Sequence, residues 1–98
     1  MRNTHHKCLA HELGSRGIAV RSELILPVMY DGIKVDAGYR IDLLVEDLVI
    51  VEVKSVDRIL PVPRAQLLSY LTLSGKRIGL LINFNVRRLI YGMTRVAN

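Results

Sequence analysis

Asp42, Glu52 and Lys54 are the residues whose types and spacing can do chemistry. Each interrupts a run that is otherwise aliphatic. Asp42 opens Asp42-Leu43-Leu44-Val45, and Glu52 and Lys54 close Val49-Ile50-Val51-Glu52-Val53-Lys54. Runs that are apolar on both faces mark central strands covered on both sides, where a charge is costly unless something compensates it. Glu52 and Lys54, two apart in a strand, project from one face. Two carboxylates converging from adjacent strands supply the oxygens that a divalent cation requires. An ammonium beside them can lower the pKa of a water or stabilise charge on a phosphate. The alternative on the same residues is a buried salt-bridge network at a strand end.

Register decides whether the two carboxylates can meet. With Glu46-Asp47 as the whole loop, Val45 would pair with Leu48 and Asp42 would face Val51. Glu52 would then point to the other side of the sheet. A shared ion needs Asp42 opposite Glu52, which requires an odd loop such as Glu46-Asp47-Leu48, or a bulge. The odd register is expected.

The elements that must position these residues follow from the rest of the pattern. Residues 3–16 read as a helix, with Asn3 or Thr4 as cap, Leu9 and Leu13 on one face, and Gly14 or Gly17 as the stop. Residues 18–30 read as a strand in which Leu24, Leu26 and Val28 alternate, with Pro27 placing it at an edge or a bulge. Asp31-Gly32 is a two-residue hairpin signal, and Ile33 to Val35 start the return. Tyr39 to Val45 and Leu48 to Lys54 form the next pair. Residues 63–74 read as a helix, with Pro63 in its first turn, Leu67, Leu68 and Leu71 as its buried stripe, and Gly75 as its end. Ile78 to Ile82 follow as a buried strand, so the chain from Leu48 to Ile82 reads as a strand–helix–strand crossover in a mixed sheet. Arg87 to Val96 fits a short helix followed by a strand.

Composition narrows the class. The 98 residues, half of them hydrophobic, are expected to form one α/β domain with a central mixed sheet and flanking helices. The apolar runs are too short to span a membrane, and residues 1–10 lack the apolar core of a signal peptide. One cysteine, Cys8, fits a reducing cytoplasm. The net charge of +5 is unevenly placed. Residues 1–52 carry six Lys/Arg and eight Asp/Glu; residues 53–98 carry eight Lys/Arg and the single acid Asp57. An acidic cluster beside a basic half suits a metal and a polyanion together. With no Trp and one Phe, stacking platforms for single strands are scarce.

Asp42, nine residues, then Glu52-Val53-Lys54 resembles the D…(D/E)xK core of the PD-(D/E)XK nuclease superfamily. Gln66 and Tyr70 resemble the QxxxY helix motif of its exonuclease branch. Three longer strings resemble the bacterial GxxExxY proteins: Gly38-Tyr39-Arg40-Ile41-Asp42-Leu43-Leu44-Val45, Ala65-Gln66-Leu67-Leu68-Ser69-Tyr70-Leu71 and Gly79-Leu80-Leu81-Ile82-Asn83-Phe84-Asn85. The likeness runs from about Cys8 to Asn98. It implies a restriction-endonuclease-like fold, Mg²⁺ (or Mn²⁺) at Asp42 and Glu52, and Lys54 as the catalytic lysine. Gln66 and Tyr70, four apart on one helical face, would face the site. The implied activity is hydrolysis of DNA or RNA phosphodiesters, with the metal activating water. The GxxExxY string itself is lacking. Its Glu falls on Arg2, its Tyr on His5, and its Gly before Met1, as in an N-terminally shortened member. The alternative function is therefore a catalytically impaired nucleic-acid-binding domain, or a subunit that needs a second copy or a partner protein to complete its site.

The remaining polar residues have plainer readings. His5, His6, Cys8 and His11 match no standard zinc spacing and read as a solvated helix end. Arg87, Arg88 and Arg95 would contact phosphates or be simply exposed. Asn83 and Asn85 read as turn residues capping backbone groups. Glu46 and Asp47 read as a solvated hairpin tip.

Overall fold

The computed structural model describes residues 5–25, 28–35, 40–56, 61–85 and 90–98. Helix α1, His5–Ser15, opens the described chain. It ends in a Schellman turn. The Ile18 N–H donates to the Leu13 carbonyl at 3.1 Å and the Gly17 N–H to Gly14 at 3.0 Å. Gly17 takes a φ of 80°, which a residue without Cβ adopts at no steric cost. Of the two glycines proposed as its stop, Gly17 serves. The candidate caps Asn3 and Thr4 lie outside the described residues.

The strand expected over residues 18–30 is two strands in two sheets. Strand β1, Val20–Ile25, belongs to the main sheet, while β2, Val28–Tyr30, pairs only with β3, Ile33–Val35, among the described residues. Pro27, expected to mark an edge or a bulge, lies outside the described residues. Asp31 and Gly32 join β2 to β3 with φ of 52° and 76°. Two left-handed residues in succession make the tight turn whose twist matches paired strands.

Strands β4, Arg40–Val45, and β5, Val49–Lys54, follow. Helix α2, Pro61–Ser74, begins two residues earlier than the sequence suggested. Both Pro61 and Pro63 fit its first turn, where N–H groups lack intrahelical partners anyway. Strands β6, Ile78–Asn85, and β7, Ile90–Ala97, complete the fold. The described end of the chain is thus strand; residues 86–89, where the expected short helix would begin, lie outside the described residues. The main sheet runs β1-β4-β5-β6-β7, with β5 and β6 parallel and the other neighbours antiparallel.

Each face of this sheet carries a helix. Leu67 and Leu71 of α2 pack with Leu44, Ile50, Leu81 and Val96 on one face. Leu9 and Ala10 of α1 lie against Leu43, Val51, Val53 and Ile82 on the other. Leu68 was expected in the buried stripe but is 42% exposed. It sits about 100° round the helix from Leu67, beyond the edge of the sheet contact.

Helix α2 approaches β6 closely at Gly79. A Cβ built there would lie 2.9 Å from Cγ, Cδ1 and Cδ2 of the fully buried Leu67. Gly79→Ala is expected to destabilise the protein by about 1–3 kcal/mol through overpacking, measured as a lowered midpoint in urea. Adding Leu67→Val should recover part of the loss, whereas strictly additive losses would contradict this packing.

Candidate active site

Strands β4 and β5 are joined by the three residues Glu46, Asp47 and Leu48. The ladder pairs Val45 with Val49, Leu44 with Ile50 and Leu43 with Val51. The next step in that register sets Asp42 opposite Glu52, as the odd loop requires. Glu46 and Asp47 accept φ of 53° and 59° to close the turn. Neither is a purely solvated tip. The Glu46 carboxylate accepts the Ala19 N–H at 3.1 Å, and Asp47 meets the Lys76 ammonium at 3.5 Å.

At Asp42 the backbone ladder gives way to side chains. The Asp42 N–H donates to Glu52 Oε1 at 3.2 Å, and the Val53 N–H donates to Asp42 Oδ2 at 2.8 Å. Each carboxylate thereby holds the other's strand. Ile50, Glu52 and Lys54 alternate onto the α2 face, and Glu52 is only 9% exposed there. Burial pushes the Glu52 pKa from its ordinary 4.5 up to about 7, chiefly by desolvation and next by the charge of Asp42, while Lys54 pulls it back. Two carboxyl groups crowded so that one keeps its proton suit a divalent cation, which would relieve both repulsion and desolvation. This two-carboxylate set fits a small hard cation that keeps several waters.

Sequence reasoning missed a cluster on the neighbouring strand. Glu23 falls in register between the pairs Ser22–Leu43 and Leu24–Ile41, beside Asp42. Its φ is 50°, unusual for a residue with a Cβ. Its carboxylate accepts from His6 Nε2 at 2.9 Å and from Arg40 Nη2 at 3.3 Å. His6 is 5% exposed, so it does not belong to a solvated helix end. Its neighbours Cys8 and His11 are exposed, and the His5 ring stands 5.0 Å from Phe84. Among the described residues, no three His, Cys, Asp or Glu side chains group as metal ligands. The available signal was Glu23 itself, an acid directly before the aliphatic stretch Leu24-Ile25.

The other candidates are placed unequally. Tyr70 packs against the core on the α2 face, the face that carries Glu52. Gln66, one turn earlier, is exposed. Arg95 pairs with Leu80 on β7, two strands from β5, and alternation puts it on the face opposite Glu52. Arg87 and Arg88 lie outside the described residues. Asn83 caps backbone groups as expected: its side chain accepts from the Val56 N–H and donates to the Val56 carbonyl, both at 2.9 Å. The side chain of Asn85 lies outside the description. Asn83, level with Lys54 in the β5–β6 register, thus fixes the chain just beyond the Glu52-Val53-Lys54 segment. Asn83→Ala should cost about 1–3 kcal/mol for two lost hydrogen bonds. Faster amide exchange at Val56 would report the release directly, and unchanged exchange would contradict it.

The family model of the PD-(D/E)XK nuclease superfamily matches residues 1–96, and the chain belongs to that superfamily. Its fold is the expected α/β, restriction-endonuclease-like one. It superposes with a TM-score of 0.65 on the alkaline exonuclease of Laribacter hongkongensis, at 17% identity over 97% of this chain and 55% of that one. The same enzyme in complex with dAMP aligns at 0.65 and 17%, over 97% and 54%. The structure of SSO0001 gives 0.65 and 18% identity, over 96% and 48%. The chain therefore spans about half the length of these solved structures. No curated protein matches it significantly. None of the described helices is long and apolar enough to cross a membrane.

Proposed function

We propose that this protein is a divalent-metal-dependent nuclease that hydrolyses phosphodiester bonds in DNA or RNA. The observation that carries this reading is the reciprocal pairing of Asp42 and Glu52 on adjacent strands, with Lys54 two residues on. Asp42 and Glu52 would hold Mg²⁺ or Mn²⁺. Such a cation, when bound, lowers the pKa of a water and offsets charge on a phosphate. Lys54 places its ammonium on the same strand face as Glu52, where it assists the attacking water and neutralises phosphate charge. Tyr70, from the helix above, orients the substrate or the lysine, and Gln66 contacts substrate from the same helical face. The dAMP complex of the Laribacter hongkongensis enzyme supports nucleic acid as the substrate class. The three longer strings support placement among the GxxExxY proteins, and the single cysteine supports a cytoplasmic setting.

The test is cleavage of single- and double-stranded DNA and RNA with Mg²⁺ or Mn²⁺, against a chelator control. Metal-dependent product is expected. Failure on all substrates with both metals would overturn the reading. One observation favours the alternative, a nucleic-acid-binding domain or a subunit completed by a second copy or a partner. No third metal-ligating side chain joins Asp42 and Glu52 among the described residues. That reading expects salt-dependent binding without turnover.

A further inference from the structure

Asp42 is a residue of β4 that both flanking ladders skip. Towards β1 the paired residues are Val45, Leu44, Leu43, Ile41 and Arg40; towards β5 they are Val45, Leu44 and Leu43. Side-chain alternation breaks at the same level. Leu43 packs on the α1 side of the sheet, yet Ile41, two residues away, packs on the α2 side. In an unbroken strand, residues two apart share a face. Strand β1 breaks with it: Val20 lies on the α1 side and Leu24, four residues on, on the α2 side.

Glu23 stands on β1 at the level of Asp42, with its φ of 50°. A left-handed residue within a strand interrupts pairing locally and re-aims the side chains beside it. For a residue with a Cβ, that conformation persists only where the surroundings impose it. Both oxygens of the Glu23 carboxylate are tied: Oε1 to the buried His6 of α1, and Oε2 to Arg40, two residues before Asp42 on its own strand. On the other side of Asp42, side chains take over from the ladder, through the Asp42–Glu52 and Val53–Asp42 hydrogen bonds.

We propose that Glu23 is a positioning residue for the metal site. Its clamped left-handed backbone opens the β1–β4 ladder beside Asp42. The Asp42 carboxylate is thereby left free to bond Val53 and to share a cation with Glu52. This rests on the reading of Asp42 and Glu52 as metal ligands, and adds what holds the first of them in place.

The test compares Glu23→Val with Glu23→Gly. Both lack the carboxylate, so the difference between them reads the backbone: glycine adopts a positive φ freely and a β-branched residue resists it. Calorimetric titration with Mn²⁺ should find Glu23→Val at least about tenfold weaker than wild type, and Glu23→Gly should recover most of that loss. In the metal-free proteins, amide exchange at Val53 should be faster in Glu23→Val than in Glu23→Gly. Arg40→Ala trims a side chain that is 53% exposed and so spares the core. It should weaken Mn²⁺ binding, whereas loss of a positive charge alone would strengthen it. Gly79→Ala, whose clash with Leu67 lies at the other end of β6, should lower stability and leave Mn²⁺ affinity unchanged. Equal affinities in Glu23→Val and Glu23→Gly would overturn the proposal, as would tighter binding by Arg40→Ala, or no Mn²⁺ binding by wild type. A wild type that binds Mn²⁺, with the variants in the expected order, yet cleaves nothing would overturn the nuclease reading and leave the role of Glu23 standing. Metal-dependent cleavage by wild type, with Mn²⁺ bound as tightly by Glu23→Val, would do the reverse.

Discussion

Asp42→Asn is expected to remove metal-dependent cleavage while leaving a folded protein. The amide oxygen of asparagine can still accept the Val53 N–H that Asp42 Oδ2 now accepts at 2.8 Å. What is lost is one of two negative charges that a cation would need. Lys54→Ala, which removes an electrostatic contributor without touching the carboxylates, should lower the rate by roughly 10²–10³-fold with metal affinity kept. Calorimetric titration with Mn²⁺ separates the two: binding should vanish in Asp42→Asn and persist in Lys54→Ala. Wild-type turnover in Asp42→Asn would refute the assignment of that carboxylate. Equal loss of metal binding in both variants would refute the separate role given to the lysine.

The second large effect is a dependence of stability on pH that runs opposite to most carboxylates. The fold raises the Glu52 pKa from 4.5 to about 7, so it favours the protonated form. Between those values the native state binds more protons than the unfolded one, and stability falls as pH rises. The contribution is intact below pH 4.5, is lost progressively, and is gone above about pH 7. A shift of this size corresponds to about 3 kcal/mol. Glu52→Gln cannot titrate and keeps an oxygen for the Asp42 N–H. It should therefore match wild type near pH 4.5 and exceed it at pH 8 by roughly 10 °C or more in Tm. Asp42→Asn removes the second cause of the shift and should flatten the wild-type slope in part. Mg²⁺ at pH 8 should raise the Tm of wild type and leave that of Glu52→Gln nearly unmoved. A wild-type Tm that stays level from pH 4.5 to 8 relative to Glu52→Gln would show that Glu52 is not buried against Asp42 as described.

Much of this site was legible because apolar strands expose their exceptions. A charge within Val49-Ile50-Val51-Glu52-Val53-Lys54 needs a reason, and two-residue periodicity already put Glu52 and Lys54 on one face. The parity requirement on the loop was legible for the same reason. The cluster of His6, Glu23 and Arg40 was not, because it joins a helix to two strands whose spatial neighbours no local pattern specifies. His6 in particular looks solvated from its polar neighbours, and only the docking of α1 buries it. Leu68 misled in the opposite direction. Helical spacing tells which residues are adjacent on a helix, but the width of the sheet beneath decides how far the buried stripe extends. The division of residues 18–30 between two sheets was not legible either, because the alternation of Leu24, Leu26 and Val28 reads as one strand and does not say which neighbour each half pairs with.

The three-residue connection between β4 and β5 has an evolutionary corollary. Losing or gaining one residue there would leave a viable hairpin yet turn one acid away from the other, so the proposed metal site would disappear in a single indel with little harm to folding. On the proposed reading, lineages that cut nucleic acid should vary this connection by two residues at a time, while even-numbered versions should occur only where the chemistry has been given up.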